Sequence, residues 1–229
     1  MDDYPSDCEL TQDELRRLDD VTMEGDLTLG YMLSVVILTV GNCPRTVGYV
    51  TRRFTDSIGD YQAAAQVLEC TREAIIKTAY WCGIPKAINA MRECVSSVDP
   101  GIRVRLTTEC KMPVKEEEQQ QEKLRKSYSM IFGENGLKVF DEIQDFSPQL
   151  YNLSKNIYEE VTMTRCAMGV DIAELIGATA LQILGLNEAL VVHQKIAQKS
   201  GASTEQLDKV TRACGTFLEI ADDKRWRFF

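Results

Sequence analysis

Two stretches of the chain, 61–83 and 193–215, align without a gap at a constant offset of 132 residues, and seven of their 23 positions are identical. The shared residues are Gln62, Ala65, Gln66, Glu73, Lys77, Cys82 and Gly83 in the first stretch, and Gln194, Ala197, Gln198, Glu205, Lys209, Cys214 and Gly215 in the second. Unrelated segments would share about one or two residues by composition, so the match reads as an old duplication, and a repeat governs the architecture of the whole chain. The chain's one histidine, His193, opens the second stretch, where the first has Tyr61. The copies therefore share a scaffold but differ where chemistry can sit.

At 229 residues the chain is long enough to bury a sizeable core, and a duplicated unit of roughly a hundred residues most often packs against its twin as one compact body. The net charge of −9 and pI near 4.8 exclude an electrostatic nucleic-acid footprint, which needs a concentrated basic face. Basic clusters such as Thr51-Arg52-Arg53 and Lys224-Arg225-Trp226-Arg227 read as solvated surface.

The eight cysteines, at 8, 43, 70, 82, 94, 110, 166 and 214, form no Cys-x-x-Cys and no Cys/His group with zinc spacing. Neither a structural metal nor a redox dithiol is expected. The acidic start Met1-Asp2-Asp3-Tyr4 is unlike a basic targeting signal, and the longest apolar run, Leu29 to Val40, is too short to span a bilayer. The last residues, Trp226-Arg227-Phe228-Phe229, are not a Ser-Lys-Leu address. A cytoplasmic protein with reduced thiols and no membrane partner is expected.

Helical signals run along the chain, and the expected fold class is all-α. Residues 1–26 are an acidic segment in which Leu10, Leu15 and Leu18 predict at most one short, weakly docked helix. Leu27–Val40 is apolar on every side, which suits a buried helix, although its β-branched residues leave a strand open. Gly41-Asn42-Cys43-Pro44 ends it. A helix is expected around Ile58–Leu68, and Thr71 can cap another from Arg72 to Cys82 that Gly83-Ile84-Pro85 stops before a short helix. The organisation reads as a first repeat over 27–95, a linker over 96–121 opened by Asp99-Pro100-Gly101, a second repeat over 122–218 and a tail over 219–229.

In the second repeat, 122–132, 136–146 and 148–161 carry apolar residues at helical spacing. Val170–Leu184 is a second nearly all-apolar helix, followed by a Gly185-Leu186-Asn187 turn and a helix from Glu188 to Ser200. That last helix places Ala189, Val192, His193, Ile196 and Ala197 on one stripe. Gly201 stops it, and Ser203-Thr204-Glu205-Gln206 has the form of a capping box that opens Thr204–Cys214.

Glu174 lies 11 residues before Gly185 and His193 lies 8 after it. In an antiparallel hairpin rising about 1.5 Å per residue, the two fall within roughly 5 Å of each other along the axis. A carboxylate bonded to an imidazole fixes its tautomer and tunes its proton affinity, which is what acid–base chemistry needs. Plainer roles also fit: Glu174 can belong to a narrow polar stripe with Asp171 and Gln182, and His193 can be a satisfied core histidine. Tyr61 likewise suits a core aromatic. Cys82 and Cys214, each just before a glycine, read as packing thiols, and Cys166 sits where a helix dipole could lower its pKa.

The run Glu174-Leu175-Ile176-Gly177-Ala178-Thr179-Ala180-Leu181-Gln182-Ile183-Leu184-Gly185, then His193, then Gly201-Ala202-Ser203-Thr204-Glu205, resembles the carboxymuconolactone decarboxylase and AhpD-like superfamily. Thr71-Arg72-Glu73-Ala74-Ile75 and Trp81-Cys82-Gly83-Ile84-Pro85 look like the same unit in the first copy. The resemblance implies an AhpD-like helical fold of two fused repeats, assembly as a homo-oligomer, and either thiol peroxidase or cofactor-free lactone decarboxylase activity. In the AhpD branch a Cys-x-x-Cys precedes the histidine by seven and four residues; here those positions are Leu186 and Ala189, a departure that speaks against peroxide reduction by that route. What remains is a lyase-like reaction without cofactor on a small carboxylated or lactone metabolite. His193 would be the proton donor and Glu174 its orienting partner, with Tyr61, Arg165 and Arg212 as candidate substrate-binding residues. In the first copy the histidine and glutamate positions are held by Tyr61 and, approximately, Gly30. Two alternatives stay open: a non-catalytic oligomeric scaffold, and a thiol oxidoreductase with cysteines in other places.

Overall fold

The computed structural model describes residues 9–106, 142–157 and 168–226. Among these the secondary structure is helical and contains no strand, as an all-α chain requires. The chain divides into two compact units, one made of 1–108 and 167–229 and the other of 109–166. In the first unit the order is α1 (Gln12–Thr22), α2 (Leu27–Val40), α3 (Pro44–Ile58), α4 (Tyr61–Cys82), α5 (Ile84–Ser96) and the short α6 (Pro100–Arg103). The described part of the second unit holds α7 (Pro148–Ile157), which exposes Leu150 and Leu153. The first unit then resumes with α8 (Val170–Ile183), α9 (Asn187–Lys199) and α10 (Thr204–Asp223).

The all-apolar Leu27–Val40 segment is a helix, and its position explains its composition. Every residue of α2 from Leu29 to Val40 is buried, because α1, α3, α4, α5, α8 and α10 all pack against it. A helix without a solvent face is stable only in such a surround. Its polar residues are satisfied locally: the Ser34 hydroxyl donates to Gly30 O, and Thr39 donates to Val35 O.

Several expectations need correction. Thr71 does not start a helix: α4 runs unbroken through it, and its hydroxyl donates back to Val67 O at 2.9 Å. The first copy thus spans with one helix what the second divides at Gly201, so the helix, stop and capped helix do not recur. Ile58 ends a helix rather than opening one: Pro44 starts α3, and Gly59, at φ 72°, stops it in the left-handed conformation that favours glycine. The cap that Cys43 does not supply to α3 comes from Glu9, whose carboxylate accepts the Arg45 and Thr46 backbone N–H groups at 3.0 and 2.7 Å. Nor is α1 weakly docked, since Leu15 and Leu18 are fully in the core. Finally, α10 continues past Cys214 to Asp223, so Gly215 is helical while its counterpart Gly83 terminates α4. The expected helices over 122–132 and 136–141 lie outside the described residues.

The hairpin of α8 and α9 sets the candidate site. Gly185 turns the chain, and the tight turn donates Leu186 N–H to Leu181 O at 3.0 Å. After α9, the capping box at Ser203 and Gln206 forms as expected and launches α10.

Candidate functional site

On α9, His193, Ile196 and Ala197 face inward, while Glu188, Lys195, Gln198 and Lys199 face solvent. On α8, Glu174 points to the same side of the hairpin. His193 Nδ1 and Glu174 Oε2 are 2.7 Å apart, and the residues are 3% and 4% exposed. A buried carboxylate this close to an imidazole nitrogen requires a proton between them, so Nδ1 donates to Glu174. That fixes the Nδ1–H tautomer in the neutral ring, with Nε2 the nitrogen that Glu174 does not engage.

A third group closes on the pair from far away in sequence. The Trp81 indole, one residue from the end of α4, meets the His193 ring edge to face, with centroids 5.5 Å apart and planes at 89°. The approach depends on Gly177: a Cβ there would stand 3.0 Å from Trp81 Cη2 and 3.1 Å from His193 Nδ1. Neither Trp81 nor Gly177 was anticipated as a site residue. A glycine inside an otherwise apolar helix was the available signal for the second; no local pattern announces the first.

Two other residues nominated from sequence are engaged elsewhere. Tyr61, the positional counterpart of His193, is half exposed at the start of α4, where its ring lies against Gly101 and under the Arg105 guanidinium. Arg212 reaches to Glu24 at 3.0 Å and Asp208 at 3.2 Å on the surface. Arg165 lies outside the described residues. An open groove of about 330 Å³ between α9 and α10, lined by residues including Val191, Lys195, Leu207 and Asp208, does not include His193 or Glu174.

The described thiols are poor nucleophiles. Cys43, Cys70, Cys82, Cys94 and Cys214 are not in disulfides. Burial pushes the Cys82 and Cys94 thiols up to about 11 and the Cys214 thiol to about 12, so they stay protonated at neutral pH. Cys70 is also raised, by burial and then by the nearby Glu73. Cys8, Cys110 and Cys166 lie outside the described residues. No His/Cys/Asp/Glu cluster able to hold a metal occurs among the described residues, and no described helix is long and apolar enough to cross a membrane. In comparisons with protein-family models, curated proteins and solved structures, nothing matches this chain.

Proposed function

We propose that the chain is a decarboxylase-like lyase that performs acid–base chemistry, without a cofactor, on a small carboxylated or lactone metabolite. The buried 2.7 Å contact between His193 and Glu174 is the observation that supports this reading. In the reaction, the substrate's C–C bond to its carboxylate breaks, CO₂ leaves, and the electron pair stays on carbon. The His193 imidazolium gives its Nε2 proton to that carbon, and water restores the proton. Glu174 holds the ring by Nδ1 and stabilises its charged form, as an oriented acid–base group requires.

The test is ¹³CO₂ release, with solvent deuterium uptake at the carbon, from a panel of small carboxylated γ-lactones and β-keto acids. His193→Gln should abolish release, and Glu174→Gln should lower it by about 10²-fold or more, within the usual range for acid–base groups. Circular dichroism establishes that each variant is folded. Release that is equal in wild type and folded His193→Gln overturns the proposal.

The second reading, a non-catalytic oligomeric scaffold, is favoured by the depth of the pair and by the exposed apolar side chains Ile76, Ile84 and Ile88 on α4 and α5. A wild-type protein that turns over no substrate in the panel, and whose oligomer persists in His193→Gln, supports that reading against the lyase.

A further inference from the structure

The acid–base reading requires one imidazole orientation, and the pair alone does not enforce it. An imidazole turned by half a revolution about its bond to Cβ presents carbon to Glu174 instead of Nδ1. What surrounds the ring therefore decides whether the hydrogen bond is kept.

Glu174 and Gly177 are three residues apart on α8, so the carboxylate and the missing side chain lie on neighbouring turns of one helix face. The His193 Nδ1 edge and the benzo rim of Trp81, at Cη2 and Cζ2, meet over the bare Cα of Gly177. A Cβ at 177 would lie 3.0–3.1 Å from both rings, tighter than nine in ten real Cβ contacts, so one of them would have to move by a few tenths of an ångström. Beyond Gly177, the perpendicular indole fixes the plane of the imidazole, because aromatic pairs favour edge-to-face geometry over intermediate tilts. The duplication does not repeat this device: the position equivalent to Trp81 in the second copy is Ala213, buried in α10.

We propose that Trp81 and Gly177 are positioning residues for His193, together holding its ring so that Nδ1 faces Glu174 and Nε2 is left for proton transfer. The inference rests on the acid–base reading for its functional meaning, but the orientation can be measured without a substrate. It also makes the centre a joint product of both halves: the first supplies the indole, and the second the imidazole, the carboxylate and the gap.

Because His193 is the only histidine, the full chain without a histidine tag gives one pair of imidazole ¹⁵N signals in a long-range ¹H–¹⁵N spectrum. Wild type should show a protonated Nδ1, an unprotonated Nε2 above the titration range, and a downfield Nδ1–H resonance. Gly177→Ala should lose that resonance and bring the two ¹⁵N shifts together as the tautomers mix. Trp81→Leu, which keeps an apolar filling without a ring, should do the same. Gly215→Ala adds a methyl to a helical glycine with nothing within 4 Å and should leave the spectrum unchanged. If folded Gly177→Ala and Trp81→Leu both retain the wild-type pattern, the proposal is overturned; if one variant does not fold, the other decides. A mixed tautomer with unchanged turnover keeps the positioning role and removes the acid–base reading, whereas lost turnover with an unchanged imidazole spectrum does the reverse.

Discussion

Gly30→Ala should destabilise the protein, although alanine is the better helix former. Gly30 lies in the first turn of the central helix α2, where the end of α1 crosses it. A Cβ built there would sit 1.8 Å from the carbonyl oxygen of Thr22 and 2.7 Å from its carbon, where real Cβ atoms essentially never come within 3.0 Å. Both obstacles are backbone, so no side-chain rotation relieves the clash, and α1 must move. That displacement breaks the hydrogen bond from Ser34 to the Thr22 hydroxyl, 2.9 Å, and the longer one from Lys209 to Thr22 O, 3.4 Å. If α1 only shifts, overpacking costs about 1–3 kcal/mol. If it lifts off, Leu15 and Leu18 lose their burial at about 1.5–3 kcal/mol each. Against either stands a propensity gain of about 1 kcal/mol at most. The expected net loss of about 2 kcal/mol or more lowers the urea midpoint by about 1 M at an ordinary denaturant slope, and limited proteolysis should cut within 9–26 first. A stability equal to or above wild type would refute the close crossing. The same geometry bears on function: Gly30 stands approximately where Glu174 stands in the second copy, and no carboxylate fits there while α1 is docked.

Two further outcomes follow from buried groups. Lys209 is 5% exposed and donates to the carbonyls of Thr22, Glu24 and Asp26, so it staples the α1–α2 turn; Lys209→Met should cost about 2–3 kcal/mol in denaturant unfolding by orphaning those carbonyls, and a loss below about 0.5 kcal/mol would contradict the staple. Cys94 and Cys214 should resist iodoacetamide in the native protein at pH 8, read by mass spectrometry, and labelling at the rate of an unfolded peptide thiol would show the burial to be wrong. Their linkage has a definite sign: both folded thiols titrate above the ordinary value of 9.0, so the unfolded chain loses these protons first, and their contribution to stability is full below pH 9 and declines as pH rises toward 11–12.

The repeat shows how far residue identity carries. Lys77 and Lys209 are both buried, and Ala65 and Ala197 are both in the core, so at these positions the shared residues mark shared inward faces. Glu73 is buried beside Lys77, at 3.4 Å, while Glu205 is exposed in the first turn of α10. Gly83 ends a helix at φ 91°, whereas Gly215 sits inside one. An identical letter thus keeps its burial more readily than its backbone role, because burial follows the local stripe of apolar neighbours and helix ends follow what packs beyond them. The break expected at Thr71 fails for that reason: the hydroxyl that can cap a helix can equally bond back within one, and the packing of α4 along α2 favours the continuous helix.

By itself, the sequence determined the helical class, the buried character of Leu27–Val40 and Val170–Ile183, the Gly185 turn, the capping box at Ser203 and the meeting of Glu174 with His193. All of these depend on periodicity, turn chemistry and short sequence separation, which are local quantities. Tertiary structure alone decided that Tyr61 and Arg212 are engaged away from that pair, that Glu9 caps α3, that Lys209 holds the end of α1, and that Trp81 closes on His193 over Gly177. Each of these last contacts joins groups brought together only by helix packing, and a close approach between distant backbones leaves at most a lone glycine as its trace in the sequence.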